Sequence, residues 1–230
     1  MAASRPYRSD LRNRQAAGTR RAILQAAREL FAGHGYAPTT INEIAATASV
    51  SAQTVYAAFT SKAGLALALV DYTNEQSGVE ALAGDVRTAR TPQELVRASI
   101  HLVCVLHERI GDLIRVLTQA AQVDPALAPA LAAGRASHAE PQKMIAHRLA
   151  AAGALRGSVS VDTAVGLLTV CTSPEAVERY VTELRWSYAR VEDVLTGAML
   201  AALCQPAAVR RPLGPLPAPG NRTPPSRHRP

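Results

Sequence analysis

Apolar residues in this chain recur at spacings of three and four almost everywhere, and no run of β-branched residues alternates with period two. A three-to-four spacing gathers side chains on one face of an α-helix, whereas half-buried strands need alternation, so an all-α fold is expected. Helix starts are marked just as clearly. Thr40 stands three residues before Glu43, Ser51 precedes a short amphipathic segment, and Thr91-Pro92-Gln93-Glu94 joins a cap, a first-position proline and a third-position glutamate. Asp124-Pro125 and Ser173-Pro174-Glu175 repeat the cap-then-proline pattern, with Pro174 open to a second reading as a kink in one longer helix. Gly33-His34-Gly35, Gly111, Gly153 and Gly157 mark stops. The expected helices run over about 19–33, 41–48, 52–59, 62–76, 92–110, 112–122, 125–152 with a break near Pro141, 161–184 and 188–204. No internal repeat of solenoid length is visible.

A chain of 230 residues that is 48% hydrophobic can bury one or two cores. Mean hydropathy is +0.01, and no uncharged apolar run approaches membrane-spanning length. Met1 to Asp10 is too polar for a signal peptide, so the cytoplasm is the expected compartment. The odd set Cys104, Cys171 and Cys204 fits free thiols in a reducing environment. The net charge of +7 is concentrated: residues 1–21 carry +5, residues 205–230 carry +5, and the stretch between carries −3. Basic ends flanking a slightly acidic body suit terminal contacts with a polyanion, although a tail that merely confers solubility reads equally well at the C-terminal end. Residues 1–17 are expected as a flexible basic arm. Eight of the fifteen prolines fall after Gln205, so residues 205–230 are expected as a disordered Pro/Arg-rich tail.

Phe31, Tyr36, Tyr56 and Phe59 cluster within 29 residues, whereas no aromatic occurs between Thr73 and Arg179. Such bulky anchors let a small unit build its own core, so residues 18–72 read as one domain. Its two short helices, 41–48 and 52–59, are joined by Ser49-Val50-Ser51, the layout of a helix-turn-helix. Ile41, Ile44 and Ala45 form the inner face of the first, and Val50, Val55 and Phe59 that of the second. The outward face then carries Ala52, Gln53, Thr54, Tyr56 and Ala57. Gln can pair with adenine, Thr can reach a base or a phosphate, and small Ala allows close approach. Tyr56, Lys62 and the Ser61-capped helix start suit phosphate. On spacing alone these residues remain equally open to being ordinary solvated helix positions.

The string Thr40-Ile41-Asn42-Glu43-Ile44-Ala45, then Ala48-Ser49-Val50-Ser51, Thr54-Val55-Tyr56, Phe59 and Ser61-Lys62 resembles the N-terminal signature of the TetR family of bacterial transcriptional regulators. Leu30-Phe31, Gly35-Tyr36 and Thr39-Thr40 precede it at matching spacing. The resemblance implies a three-helix DNA-binding head, a helix 52–59 that enters the major groove, and a homodimer. It makes Thr40, Tyr56 and Lys62 phosphate contacts, and Ser51, Ala52, Gln53 and Thr54 the reading edge. Two positions depart from the pattern: Ser49 stands where the family usually has Gly, and Ala57-Ala58 replace larger residues.

Residues 76–204 should, by the same resemblance, bind a small molecule and dimerise. Read directly, helix 188–204 offers a wide apolar stripe, and two apolar helices at the chain end exceed what one small core needs. Val165, Leu168, Val191, Leu195, Ala198, Met199 and Ala202 are the expected dimer contacts. A pocket is expected among helices 92–152, lined by Leu102, Val103, Leu106, Ile110, Leu113, Leu117 and Met144, which suits an apolar effector. His101, Cys104, His107 and Glu108 occupy metal-compatible helical offsets but converge poorly, so no metal and no cofactor are expected. Nothing marks a lowered thiol pKa at Cys104 or Cys171. There is no Ser/His/Asp set, phosphate-binding glycine loop or acid pair, and hence no expectation of an enzyme. The reading is a ligand-responsive repressor on a near-palindromic operator of double-stranded DNA; the alternative is an all-α small-molecule sensor or carrier that binds no operator.

Overall fold

The computed structural model describes residues 5–76 and 78–214 and is all-α, with ten α-helices among those residues and one isolated β-bridge between Leu155 and Cys204. The head comprises α1 (Arg5–His34), α2 (Ile41–Thr47), α3 (Ala52–Phe59) and α4 (Lys62–Gln76). The body comprises α5 (Val79–Thr88), α6 (Pro92–Ala120), α7 (Ala128–Ala151), α8 (Val161–Cys171), α9 (Pro174–Thr182) and α10 (Tyr188–Leu203). No helix among the described residues is long and apolar enough to cross a membrane.

The caps at Thr40, Ser51, Thr91 and Ser173 lie where the sequence marks them, and Ser160 and Ser187 add two that it leaves unmarked. Thr40, Ser51, Thr91, Ser160, Ser173 and Ser187 each accept a hydrogen bond from a first-turn amide of the helix that follows. Elsewhere the sequence reading needs correction. Residues 5–17, expected as a flexible arm, extend α1, because Pro6 sits in the first turn and no Gly or Pro follows until Gly18; residues 1–4 lie outside the described residues. No local sequence signal marks α5. It starts at a left-handed Gly78 with no side-chain cap, and its C-terminal carbonyls are held from α7, where Arg148 donates to Val86 O and Ala89 O at 2.7 Å each.

Gly111 does not stop a helix: α6 runs unbroken for 29 residues, about 43 Å at 1.5 Å per residue. At Gly111 the missing side chain leaves room for the His107 imidazole, whose ring atoms lie 2.8–3.0 Å from where a Cβ would stand. Pro141 likewise lies inside a continuous α7. The expected helix 161–184 divides at Ser173-Pro174, where Ser173 caps a fresh start. Residues 205–214 of the expected tail fold onto the body: Ala208 is buried, Gln93 N donates to Val209 O, and Leu213 N donates to Arg90 O. Residues 215–230 lie outside the described residues.

Two cores result. The head core gathers Ile23, Ala27, Phe31, Ile44, Val55, Phe59, Leu65 and Leu69 from α1–α4. It is completed by Leu113, Val116, Leu117 and Ala120, which belong to the C-terminal part of α6. The body core takes Leu95, Val96, Ile100 and Cys104 from the N-terminal part of α6, with Ile145, Leu149, Leu168, Val191, Leu195 and Leu203. One helix is thus embedded in both units, and it cannot shift against one without disturbing the other.

Candidate nucleic-acid interface

At the start of α2, Thr40 and Glu43 form a complete capping box. The Glu43 amide donates to Thr40 Oγ1 at 3.2 Å, and the Thr40 amide donates to Glu43 Oε2 at 2.7 Å. Hydrogen bonds from the Thr40 amide and then its hydroxyl hold the Glu43 carboxyl below the usual carboxylate range. The turn to α3 passes through Ser49 at φ +56°, a left-handed conformation that favours glycine. Ser51 then caps α3, accepting from Thr54 N at 3.1 Å, with Thr54 Oγ1 a further 2.8 Å contact.

Val55 and Phe59 sink into the head core and so turn the opposite edge of α3 outward. Ser51 and Gln53 are exposed, Ala52 and Thr54 are half-buried, and Tyr56 is 53% exposed. Of these residues expected to read DNA, Ser51, Gln53 and Tyr56 face outward, whereas Ala52 packs partly against the head core. At the α3–α4 corner the chain turns through Thr60 at φ +63°, and a Cβ on Gly64 would run into the Phe59 carbonyl oxygen. Ser61 caps α4 by accepting from Gly64 N at 2.9 Å.

Lys62, expected to face phosphate, sends one ammonium N–H to Ala37 O at 3.1 Å and stands 4.2 Å above the Tyr36 ring. Partial burial pushes its pKa below the ordinary lysine value, while Asp124 and Glu43 pull the other way. In sequence Arg20 is only one of the arginines of the basic N-terminal end. Its Nη1 donates to Ala58 O at 3.1 Å, and its guanidinium lies 4.3 Å from the centre of the Phe59 ring.

Two polar ties, both undetected from sequence, join head to body. Tyr36 OH donates to Asp124 Oδ2 at 2.6 Å, and Arg28 donates to Arg109 O at 2.6 Å and to Asp112 Oδ1 at 3.2 Å. Asp124 was legible only as a cap before Pro125, a role it also fills by accepting from Ala126 N.

The body residues are placed differently from expectation. The seven apolar pocket positions are divided, because α6 serves two cores: Leu113 and Leu117 pack in the head, whereas Leu102 and Met144 pack on the body core. Val103 and Ile110 are buried and Leu106 is half-buried. An open cleft of about 560 Å³ instead lies between α5, α6 and α10, with Asp85, Arg90, Glu94, Arg97, His101 and Glu192 among its lining residues. Among the expected dimer contacts, Leu168, Val191, Leu195 and Met199 are buried inside the protomer and Val165 is half-buried. Only Ala198 and Ala202 are exposed. The apolar stripe of α10 is wide enough that α6 takes one side of it, leaving Val194, Gly197, Ala198, Ala201 and Ala202 outward; on α8, which also packs against α10, Gly166, Leu167 and Val170 are exposed as well.

His101 Nδ1 lies 2.8 Å from Glu192 Oε2, whereas His107 Nε2 lies 3.0 Å from Glu178 Oε2 and its Nδ1 3.1 Å from Tyr188 OH, so the two imidazoles serve separate clusters. Burial, then Glu192 and Glu108, push the Cys104 thiol up to about 12, which keeps it protonated.

Residues 23–69 match the family described as bacterial regulatory proteins, tetR family. YdeS of Bacillus subtilis (strain 168), an uncharacterized HTH-type transcriptional regulator, is 27% identical over 179 residues, which is 73% of this chain and 86% of that protein. A crystal structure from Mesorhizobium loti assigned to the TetR family superposes with TM-score 0.63 at 27% identity, over 83% of this chain and 98% of that one. SmeT in complex with triclosan shares the fold, with TM-score 0.68, 22% identity, and coverage of 88% and 99%.

Proposed function

Because the chain belongs to the TetR family of bacterial regulatory proteins and is a helix-turn-helix transcriptional regulator, we propose that it acts as a homodimeric repressor on a near-palindromic operator. A small apolar molecule entering the helical body releases it. The observation that carries the reading is the outward side of α3, where Ser51, Gln53 and Tyr56 are exposed, with Thr54 half-buried beside them, on a helix whose Val55 and Phe59 are buried. Gln53 is the residue best suited to pair with a base edge, and Tyr56 and Thr40 flank it toward phosphate. Lys62 uses one of its three donors on Ala37 O, which fixes the ammonium at the start of α4 and leaves the other donors for a phosphate. The relatives are regulators, and this reading assigns the chain no catalysis.

Two heads can enter successive major grooves only if a second copy fixes their spacing at about 34–36 Å. The outward apolar strip of α8 and α10, with Leu167, Val170 and Val194 exposed, supports that pairing. An apolar effector is favoured by the half-buried Leu102, Leu106 and Met144 beside buried Val103. SmeT, whose fold is shared, is complexed with triclosan. Leu113 and Leu117, already committed to the head core, are not available to line that site. They give the coupling route instead: a ligand that displaces the body half of α6 displaces Leu113, Val116, Leu117 and Ala120 beneath the head. The change in DNA affinity is then limited to the ligand's preference between the two arrangements.

Fluorescence anisotropy with the DNA flanking the gene for this chain tests the reading. Gln53→Ala is expected to lose about tenfold in affinity for that DNA and little for unrelated sequence. Equal binding of wild type and variant to every sequence contradicts the assignment of the reading edge.

A further inference from the structure

Arg20 is an exposed cation on the DNA-binding head, and charge counting alone would assign it to phosphate. Its surroundings indicate a different task. An α3 of eight residues is too short to hold its own geometry, so packing and end contacts must set its angle. Val55 and Phe59 are its only buried residues, with the small Ala52 and Ala58 packed partly against the core. Its last carbonyls also need partners: Tyr56 O accepts from Thr60 N and Phe59 O accepts from Ser61 N. The Ala58 carbonyl is taken by Arg20, 38 residues earlier on α1. The residue that ends α3 is Thr60 at positive φ rather than glycine, so the usual glycine termination is lacking where the arginine intervenes. A cation at this end also meets the negative pole of the α3 dipole, and stacking on Phe59 ties the guanidinium to the helix's deepest anchor.

We propose that Arg20 is a positioning residue for DNA reading: it fixes the pitch of α3 against α1 and neutralises no phosphate. The proposal rests on the operator-binding reading above, and two independent measurements separate its failure from the failure of that reading.

The first is a salt series of anisotropy titrations, using DNA from the flanking region and an unrelated duplex of equal length, on wild type, Arg20→Ala, Arg20→Lys and Lys62→Ala. Arg20→Ala is expected to lose about tenfold on the flanking DNA and less than about twofold on the unrelated duplex, with an unchanged slope of log affinity against log salt. Arg20→Lys, which keeps a donor for Ala58 O and a cation over Phe59, recovers to within about threefold of wild type. Lys62→Ala is the contrast: both duplexes weaken, and the slope becomes shallower by about one. If Arg20→Ala behaves like Lys62→Ala, or like wild type, the proposal is overturned.

The second needs no DNA. Hydrogen exchange followed by mass spectrometry should show peptides covering Ala52–Ser61 exchanging about tenfold faster in Arg20→Ala, with peptides from α8 and α10 unchanged, which also verifies that the variant is folded. Unchanged exchange in α3 overturns the brace even if the wild-type chain binds no DNA at all.

Discussion

Tyr36 shows how much one side chain can do at the boundary between head and body. Its ring packs on Phe31 at 5.3 Å and carries the Lys62 ammonium on its face, while its hydroxyl reaches Asp124. Burial, the hydrogen bond to Asp124 and that carboxylate's charge all raise the phenol's pKa well above the ordinary value of 10. A pKa raised by folding means that the folded state holds the proton more tightly. The associated stability is therefore complete below pH 10 and is lost as pH rises past it toward the folded value. Tyr36→Phe should cost about 1–2 kcal/mol at pH 7, measured by urea unfolding. Above pH 10 the wild type should fall toward the variant; a wild-type advantage that stays constant up to pH 11 would contradict the linkage. At this scale the sequence was legible where chemistry is local. Thr40 with Glu43 and Ser51 before α3 are capping partners three residues apart, and the structure has them so. The partners of Arg20, Tyr36 and Arg28 lie 38, 88 and more than 80 residues away, and no local pattern names them.

At the level of the element, the long α6 carries the most information. It has fourteen buried residues, and sequence divides it into two helices because Gly111 resembles a stop. The glycine answers a packing need instead. Gly to Ala in a helix interior ordinarily stabilises by about 1 kcal/mol. At Gly111 a methyl would meet an imidazole held on one side by Glu178 and on the other by Tyr188. Gly111→Ala is therefore expected to destabilise by about 1–2 kcal/mol and to loosen α9, as thermal unfolding and exchange of Pro174–Thr182 would show. Stabilisation would mean that His107 moves freely aside. The missed helix α5 teaches the complementary lesson: its first turn has no side-chain cap, and its far end is held by an arginine from α7, so neither end was marked locally.

For the whole molecule, helical class and head organisation were readable from periodicity and caps, but the partition of apolar surface was not. Residues on either side of the α10 stripe look alike in sequence, and only the position of α6 decides that Val191 and Leu195 turn inward while Val194 turns out. The proposed dimer therefore uses a different register from the one expected. Val194→Asp and Leu167→Asp should each yield monomers in light scattering at micromolar concentration and weaken operator binding, whereas unchanged dimers would move the interface elsewhere. The basic N-terminal end also changes character, since residues 5–17 form helix continuous with α1 and not a flexible arm. The central claim is that two such heads, each presenting Gln53 on α3, read successive major grooves of one DNA. Nuclease footprinting on the DNA flanking the gene tests it most directly. Two protected half-sites about one helical turn apart, related by near-palindromic sequence and lost in the Val194→Asp monomer, are the expected result; an unprotected region at low salt would contradict it.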